Sequence, residues 1–501
     1  MRGNTVLQGT LILLAAGLFT RFLGFFYRIL LSRLVGLEAM GLIQMVFPVL
    51  LFATTLATAG LPVAIAKLVA EKSARGDTRG IAAVLRASTL LVLATSGTFS
   101  LAILLSARFL STHLLSDPRS YYPLLALGPG IVIISLGSIL RGYFQGLQSM
   151  TPAAAAQVVE QVTRIAGALI LLGFFLPLGP GYAAAGAVLG MMLGEVGGVL
   201  TLLLFFRARP RLLPGGAVPG LGSLREVLSL SLPVTLTRLV NSGTEVLDAT
   251  VIPRRLEASG MPRDAATAFF GALTGMAVPL LFFPAVITSS LSTALVPAIS
   301  EATVARDLRL ARRRAEQAIF ATILVALPSG AAFLVLGHPL GQLFYGHREV
   351  GDLMVPLAVA APFLYLEQTL SAVFRGLGRP TVPMGNGIVG STLRLGIIYF
   401  LAAVPALGVR AVLWGIVADL ALCFSLNFAA LGRVLSLGVD LKNWLGKPLL
   451  ATGVMLVATW WGYTTLAQRG ELTAVGGALV LGGAGYLLCL LGTRGLRPLR
   501  S

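Results

Sequence analysis

The sequence predicts an all-α integral membrane protein: about fourteen transmembrane helices, in two pseudo-symmetric six-helix lobes followed by two additional C-terminal helices. Three observations predict it. Of 501 residues, 56% are hydrophobic and only 12% are charged, with a mean hydropathy of +0.88; a soluble domain would carry about 25% charged residues. Apolar stretches of about 20 residues, the length that crosses a bilayer, recur from end to end. The second half of the chain also repeats landmarks of the first.

The stretches run in order. The first, 6–32, is apolar but carries Arg21 and Arg28; it lacks a small-residue cleavage site and reads as a first membrane helix, not a removed signal. The second, 40–66, holds no basic residue. The third to sixth are 81–107, 121–140, 153–176 and 181–206, the fifth carrying Glu160 and Arg164 and the sixth Glu195. The seventh, 227–252, carries Arg238, Glu245 and Asp248. The eighth to tenth are 268–298, 315–336 and 353–373. The eleventh, 382–404, carries Arg394, and the twelfth, 409–431, carries Asp419. The last two are 447–467 and 473–492.

Charge in the loops orients them. If the N-terminus is cytoplasmic, most Lys and Arg fall in the loops on that side, including Lys67–Arg79, Arg141, Arg207–Arg211 and Arg306–Arg314. Basic residues concentrate on the cytoplasmic side of membrane proteins. The pattern therefore predicts a multi-pass protein of the cytoplasmic membrane with both termini inside. It also accounts for most of the net charge of +18 without a nucleic-acid partner.

The repeat is specific. Phe144-Gln-Gly-Leu147 matches Phe374-Arg-Gly-Leu377, and at the same separation Thr151 matches Thr381 and Arg164 matches Arg394. At a slightly shorter separation Ala187-Val-Leu189 matches Ala411-Val-Leu413, and Glu195 matches Asp419. Thr20-Arg21 matches Thr237-Arg238. The expected organisation is a lobe over 1–206, a basic cytoplasmic linker over 207–226, a second lobe over 227–431, and two additional helices over 432–501. The lobes are parallel repeats of the kind transporters use.

Intramembrane charges are the functional signal, because each costs roughly 2.5–3.5 kcal/mol at the bilayer centre. Arg21 and Arg238, with Arg28 and Arg394, are the expected substrate-binding residues; an arginine stays charged and grips phosphate or carboxylate with two parallel hydrogen bonds. Glu160 and Arg164, four residues apart on one helix face, are an expected structural ion pair. Arg394 has Gly390 where Glu160 stands in the first lobe, so its partner comes from another helix, the cargo or water. Glu245, Asp248 and Asp419 are candidates for coupling to H+ or Na+. No metal centre or cofactor is expected: Cys423 and Cys489 lie in apolar helices, and His113, His338 and His347 are scattered in loops.

Several runs carry a resemblance. Gly9-Thr-Leu-Ile-Leu-Leu-Ala-Ala-Gly17, Thr20-Arg-Phe-Leu-Gly24, Gly60-Leu-Pro-Val-Ala-Ile-Ala-Lys-Leu-Val-Ala-Glu71, Ser73-Ala-Arg-Gly-Asp77, Leu140-Arg-Gly-Tyr-Phe-Gln-Gly146 and Gln157-Val-Val-Glu-Gln-Val-Thr-Arg164 resemble the stage V sporulation protein B family. That family lies within the multidrug/oligosaccharidyl-lipid/polysaccharide flippase superfamily, which also holds the lipid II flippases. The resemblance extends over the whole chain in length, span number and repeat. It implies a flippase for an undecaprenyl-pyrophosphate-linked peptidoglycan precursor, serving the spore cortex. It further implies that Arg21 lines a central cavity and that the last two helices form a groove for the lipid tail. The second-helix arginine of some lipid II flippases has no match in 42–66.

The implied partners are that precursor, membrane lipids and cell-wall synthesis enzymes. With no GxxxxGK[ST] loop, the expected energy source is the membrane potential or an ion gradient, not ATP. Four rival classes follow from the same features. A flippase for another lipid-linked polysaccharide fits the arginines equally. A drug or ion antiporter would need an acid-dominated site. A non-transporting cell-wall scaffold has no use for buried arginines. An enzyme would need a larger outer domain than loops of about 15 residues supply.

Overall fold

A computed structural model describes residues 2–208, 221–438 and 442–495, without the side chains of 2–11, 14, 221–234, 236–238, 240 and 241. Among the described residues there is no β-strand. The helices are α1 (Arg2–Thr58), α2 (Leu61–Ala74), α3 (Thr78–Phe109), α4 (Tyr121–Gly146), α5 (Thr151–Phe175) and α6 (Pro180–Arg207). They continue with α7 (Leu221–Ala258), α8 (Arg263–Gly271), α9 (Val278–Leu281), α10 (Ala285–Val304), α11 (Leu308–Tyr345) and α12 (Val350–Ala358). The last are α13 (Ala361–Gly376), α14 (Thr381–Leu401), α15 (Gly408–Leu435), α16 (Lys447–Leu466) and α17 (Glu471–Gly492). Backbone groups in hydrocarbon have no water to pair with, so a chain this apolar satisfies them within helices.

Eleven described segments are long and apolar enough to cross a membrane, or twelve if the pair α12 and α13, bent by 59°, is one span. The expected fourteen is not reached. The first two expected spans are joined in one segment, because α1 continues through a single non-helical residue, Gly36, at φ 75° and ψ −179°. A side chain would be strained at that φ. The eighth is divided at Phe282–Pro284. Arg394 and Asn386 lower the hydropathy of α14, which is not among the eleven.

The chain divides into two compact units. The first gathers the described residues up to Arg254 together with Pro262–Gly271; the second gathers Arg255–Met261 and the described residues from Ala272 onward. The expected linker at 207–226 lies largely outside the described residues, and residues of α7 as far as Arg254 cluster with the first unit.

Within each unit the same turns recur. Gly76 takes φ 70° and Asp77 caps α3, accepting from the Gly80 N–H at 2.7 Å. Arg306 takes φ 58° and Asp307 caps α11, accepting from the Leu310 N–H at 2.9 Å. A side-chain oxygen at this position satisfies one of the orphan donors of a helix start. After the matching Phe-x-Gly-Leu runs, Gln148 and Gly378 take φ 54° and 72°. The cores correspond too: Ile65, Val69 and Phe144 in the first unit stand where Leu295, Ile299 and Phe374 stand in the second, all buried. Leu105, Phe174, Val457 and Leu488 are among the large apolar side chains left exposed, the arrangement a helix facing lipid requires.

In the second unit α16 and α17 pack on each other through Gly462 and Gly482, and small residues let helix backbones approach. The Tyr486 hydroxyl donates to the Leu324 carbonyl at 3.0 Å and ties α17 to α11.

Candidate functional site: charged cavities inside the helical units

In the first unit four charges close on one another. The Arg141 guanidinium on α4 donates to Glu160 on α5 at 2.8 Å and to Glu195 on α6 at 3.3 Å. Arg164, one turn beyond Glu160 on α5, donates to Glu160 at 2.6 Å and to Glu195 at 3.3 Å. Each arginine thus bridges both acids, and the quartet is neutral. A charge taken out of water is tolerated only when paired and hydrogen-bonded. The expected Glu160–Arg164 pair is present and is half of a larger network. Arg141 is corrected: it lies in α4, not in a loop, and joins three helices.

Arg164 also faces a cavity of about 270 Å³ in the same unit. Its wall includes Tyr27 and Arg28 on α1, Gln44 beyond the Gly36 break, and Gln161 with Arg164 on α5. No carboxylate is among the lining residues. Arg164 is held from behind by the two acids of the quartet, while Arg28, the Gln44 and Gln161 amides and the Tyr27 phenol bring donors and acceptors to the one space.

The other expected residues are distributed as follows. Arg28 lines this cavity, whereas Arg21, two turns earlier, is exposed on α1. The Arg238 side chain lies outside the described residues. Glu245 is exposed and Asp248 half-buried on α7. Arg394 on α14 and Asp419 on α15 meet at 3.5 Å. Arg394 thus takes its partner from another helix, and the acid expected to couple an ion is engaged with it. The Cys423 thiol donates to Asp419 at 3.3 Å. A Cβ at Gly390 would run into Asp419 and Cys423, so the glycine leaves room for the pair.

Sequence reasoning missed a second space with polar side chains on its wall. A cavity of about 610 Å³ in the second unit lies between α10 and α13, with Ser292, Glu367, Ser371 and Arg375 on its wall. The signal was present in the spacing of Glu367, Ser371 and Arg375, which places them on one helix face. A third space, about 470 Å³, is apolar; Ile323, Leu334, Phe363 and Leu366 meet Leu445 and Leu456 there.

Long apolar helices, with ion pairs and cavities inside the helical units, define a multi-pass membrane protein. The profile of the polysaccharide biosynthesis protein family matches residues 6–303, and the chain belongs to that family. A MatE profile matches residues 272–400. The chain is 38% identical to stage V sporulation protein B of Bacillus subtilis (strain 168), over 89% of this chain and 87% of that protein. It is 22% identical to the lipid II flippase MurJ of the same organism, over 78% and 76% of the two chains. The fold is similar to a solved structure of lipid II flippase MurJ in an inward closed conformation. That comparison gives a TM-score of 0.71 at 17% identity and covers 97% of this chain and 99% of that one.

Proposed function

We propose that the protein is a flippase. It carries an undecaprenyl-pyrophosphate-linked peptidoglycan precursor, a lipid II-like molecule, across the cytoplasmic membrane by alternating access, for spore cortex synthesis. The observation that carries this reading is the cavity that Arg28 and Arg164 line together with Tyr27, Gln44 and Gln161. An anionic headgroup is the ligand such a wall favours, and a pyrophosphate presents its oxygens in the geometry that guanidiniums recognise. The kinship with stage V sporulation protein B and with a lipid II flippase supports the same cargo.

In this reading Arg21, Arg238 and Arg394 assist at other stages of the passage. The polyprenyl tail stays in lipid and is received by the apolar space beside α16. Both termini are cytoplasmic. The cycle draws on the membrane potential, H+ or Na+, with Glu245, Asp248 and Asp419 as the carboxylates proposed to couple it. Each charge moved through the membrane field is worth about 2.3 kcal/mol per 100 mV, and an outside-positive potential draws an anionic headgroup outward.

The test is translocation of lipid II in proteoliposomes, with headgroup accessibility read with and without an imposed potential. Wild type is expected to translocate; Arg21→Ala, Arg28→Ala and Arg238→Ala are expected to lose transport while remaining folded. No translocation by folded wild type would overturn the cargo assignment and favour another lipid-linked polysaccharide or a scaffold. Normal transport by Arg28→Ala would overturn the cavity.

A further inference from the structure

Arg164 has two duties: it lines the cavity of about 270 Å³ and it bridges both acids of the quartet. Both bridges leave from one terminal nitrogen, Nη2, at 2.6 Å to Glu160 and 3.3 Å to Glu195. The Arg164 Nε–H has no hydrogen-bond partner. A guanidinium carries five donors in a planar fork, so the acids occupy only part of it. Gln161 lies one turn before Arg164 on the same face of α5 and lines the same cavity. It is 8% exposed, and among the described residues its amide has no partner. Buried polar groups are nearly always hydrogen-bonded, so an orphan amide on a cavity wall points to a ligand.

The two acids behind Arg164 are held unequally. Glu160 takes the short contacts, 2.6 Å from Arg164 and 2.8 Å from Arg141, whereas Glu195 takes two at 3.3 Å. The two carboxyls are also close enough to share a hydrogen bond, which requires a proton on one of them. Glycines on α6 bring its backbone onto α5: a Cβ at Gly194 would run into Arg164, and one at Gly198 would press on Glu160. Glu195 is buried in that packing.

We propose that Glu195 takes up a proton when an anion fills the cavity lined by Arg28 and Arg164, and gives it back when the anion leaves. With the cavity empty, two guanidiniums balance two carboxylates. An anion that engages the open part of the Arg164 fork adds negative charge beside them, in a low-dielectric interior where like charges repel strongly. The acid with the longest contacts is the one that yields. A protonated Glu195 is neutral, donates to Glu160, and reduces by one the charge that the membrane interior must hold. The groups facing the pair are Arg141 from α4 and Arg164 from α5, with Tyr27 and Arg28 of α1 on the cavity wall. No histidine or cysteine is among the lining residues. The linkage is reciprocal: acid pH tightens the anion, and the anion tightens the proton.

The inference rests on the reading of this cavity as the place of the cargo's anion. It gives that anion a proton partner in the first unit, distinct from Glu245, Asp248 and Asp419.

The experiment uses the full chain purified in detergent and radiolabelled sulfate, a dianion that does not itself titrate near neutral pH. Its Kd is measured by equilibrium dialysis at constant ionic strength, from about pH 8 to about pH 6. Wild type is expected to bind more tightly as pH falls, by up to about tenfold per pH unit, the slope for one proton taken up per anion. Glu195→Gln is neutral at every pH. It is expected to bind at the alkaline end as tightly as wild type binds in acid, and to lose the slope; its tight binding also shows that it is folded. Arg28→Gln is expected to lose sulfate binding, which places the ion in the cavity and not on the basic loops. A wild-type Kd independent of pH would overturn the proposal, as would a slope that survives in Glu195→Gln or pH-dependent binding that survives in Arg28→Gln. No sulfate binding by wild type would overturn the cavity and the linkage with it. Lipid II translocation measured in parallel separates the two readings. Transport with pH-independent sulfate binding removes the proton linkage alone, and Glu195-dependent proton linkage without transport removes the lipid II assignment alone.

Discussion

Arg394 on α14 and Asp419 on α15 form an ion pair at 3.5 Å, at the positions where Arg164 on α5 and Glu195 on α6 pair at 3.3 Å. The same contact between the same two helices of each repeat survives in both units, although aspartate has replaced glutamate. Around it the units differ. Glu160 is answered by Gly390, and Arg141 by Ser371 at the same separation. The first unit therefore holds a closed quartet, and in the second the matching pair lacks those two further charges.

The pair is expected to show the asymmetry of buried charges. Arg394→Leu or Asp419→Leu alone should destabilise the protein by about 3–5 kcal/mol, because the remaining charge is stranded. The double variant should lie within about 2 kcal/mol of wild type. Thermal unfolding in detergent measures both, and additive single-variant losses in the double would refute the pairing.

In the quartet, Arg141→Ala leaves two carboxylates for one guanidinium. It should cost more than Arg79→Ala, an exposed change expected to stay within about 0.5 kcal/mol. Adding Glu160→Gln to Arg141→Ala should recover part of the loss by restoring neutrality. Absence of any recovery would mean that Arg141 acts through packing.

At the anion cavity the shape of the cation is expected to matter. Arg28→Ala should weaken pyrophosphate binding on the order of tenfold or more, and Arg28→Lys should recover only part of it, since an ammonium cannot make paired parallel bonds. Full recovery by lysine would show that charge alone is read.

A pH dependence follows from Asp117, between α3 and α4. Its carboxylate accepts from the Arg119 side chain at 2.8 and 3.1 Å, and from Thr267 on α8 at 2.8 Å; Arg119 also reaches Glu38 at 2.7 Å. Burial by itself would push the Asp117 pKa up, but these hydrogen bonds and the Arg119 charge outweigh it and hold the group below its usual value. A depressed carboxylate stabilises the fold above its unfolded pKa, near 3.9, and the contribution is lost as pH falls through the lower folded value. Asp117→Asn should lower stability at pH 7 by roughly 2–3 kcal/mol. It should also flatten the acid limb of the stability–pH curve below about pH 4. An unchanged acid limb would place the sensitive group elsewhere.

What the sequence made legible was whatever is periodic or local. Long apolar runs gave the helices, and matching runs gave the repeat that the capped turns at Asp77 and Asp307 display. Glu160–Arg164 was readable because i and i+4 share a helix face. Arg394 could be seen to need a partner from outside its helix, but that the partner was Asp419 required knowing which faces of α14 and α15 meet. Arg141 escaped for a related reason: a charge near the end of an apolar run looks like a loop residue until acids from two other helices are found against it. The cavity at Glu367 was hidden because polar residues dispersed among apolar ones barely lower the hydropathy of a span. Only their stripe on the folded helix makes a wall.

The quartet also constrains how the chain can change over evolutionary time. Losing any one of its four members leaves a net charge in the membrane, so single substitutions there meet a selective barrier that paired ones avoid. Ser371 and Gly390 differ from Arg141 and Glu160 by one positive and one negative charge, the composition of such a compensated exchange. Two copies of one ancestral unit could thus diverge only along charge-balanced routes, one keeping a cross-braced interior and the other reducing it to a single ion pair between two helices.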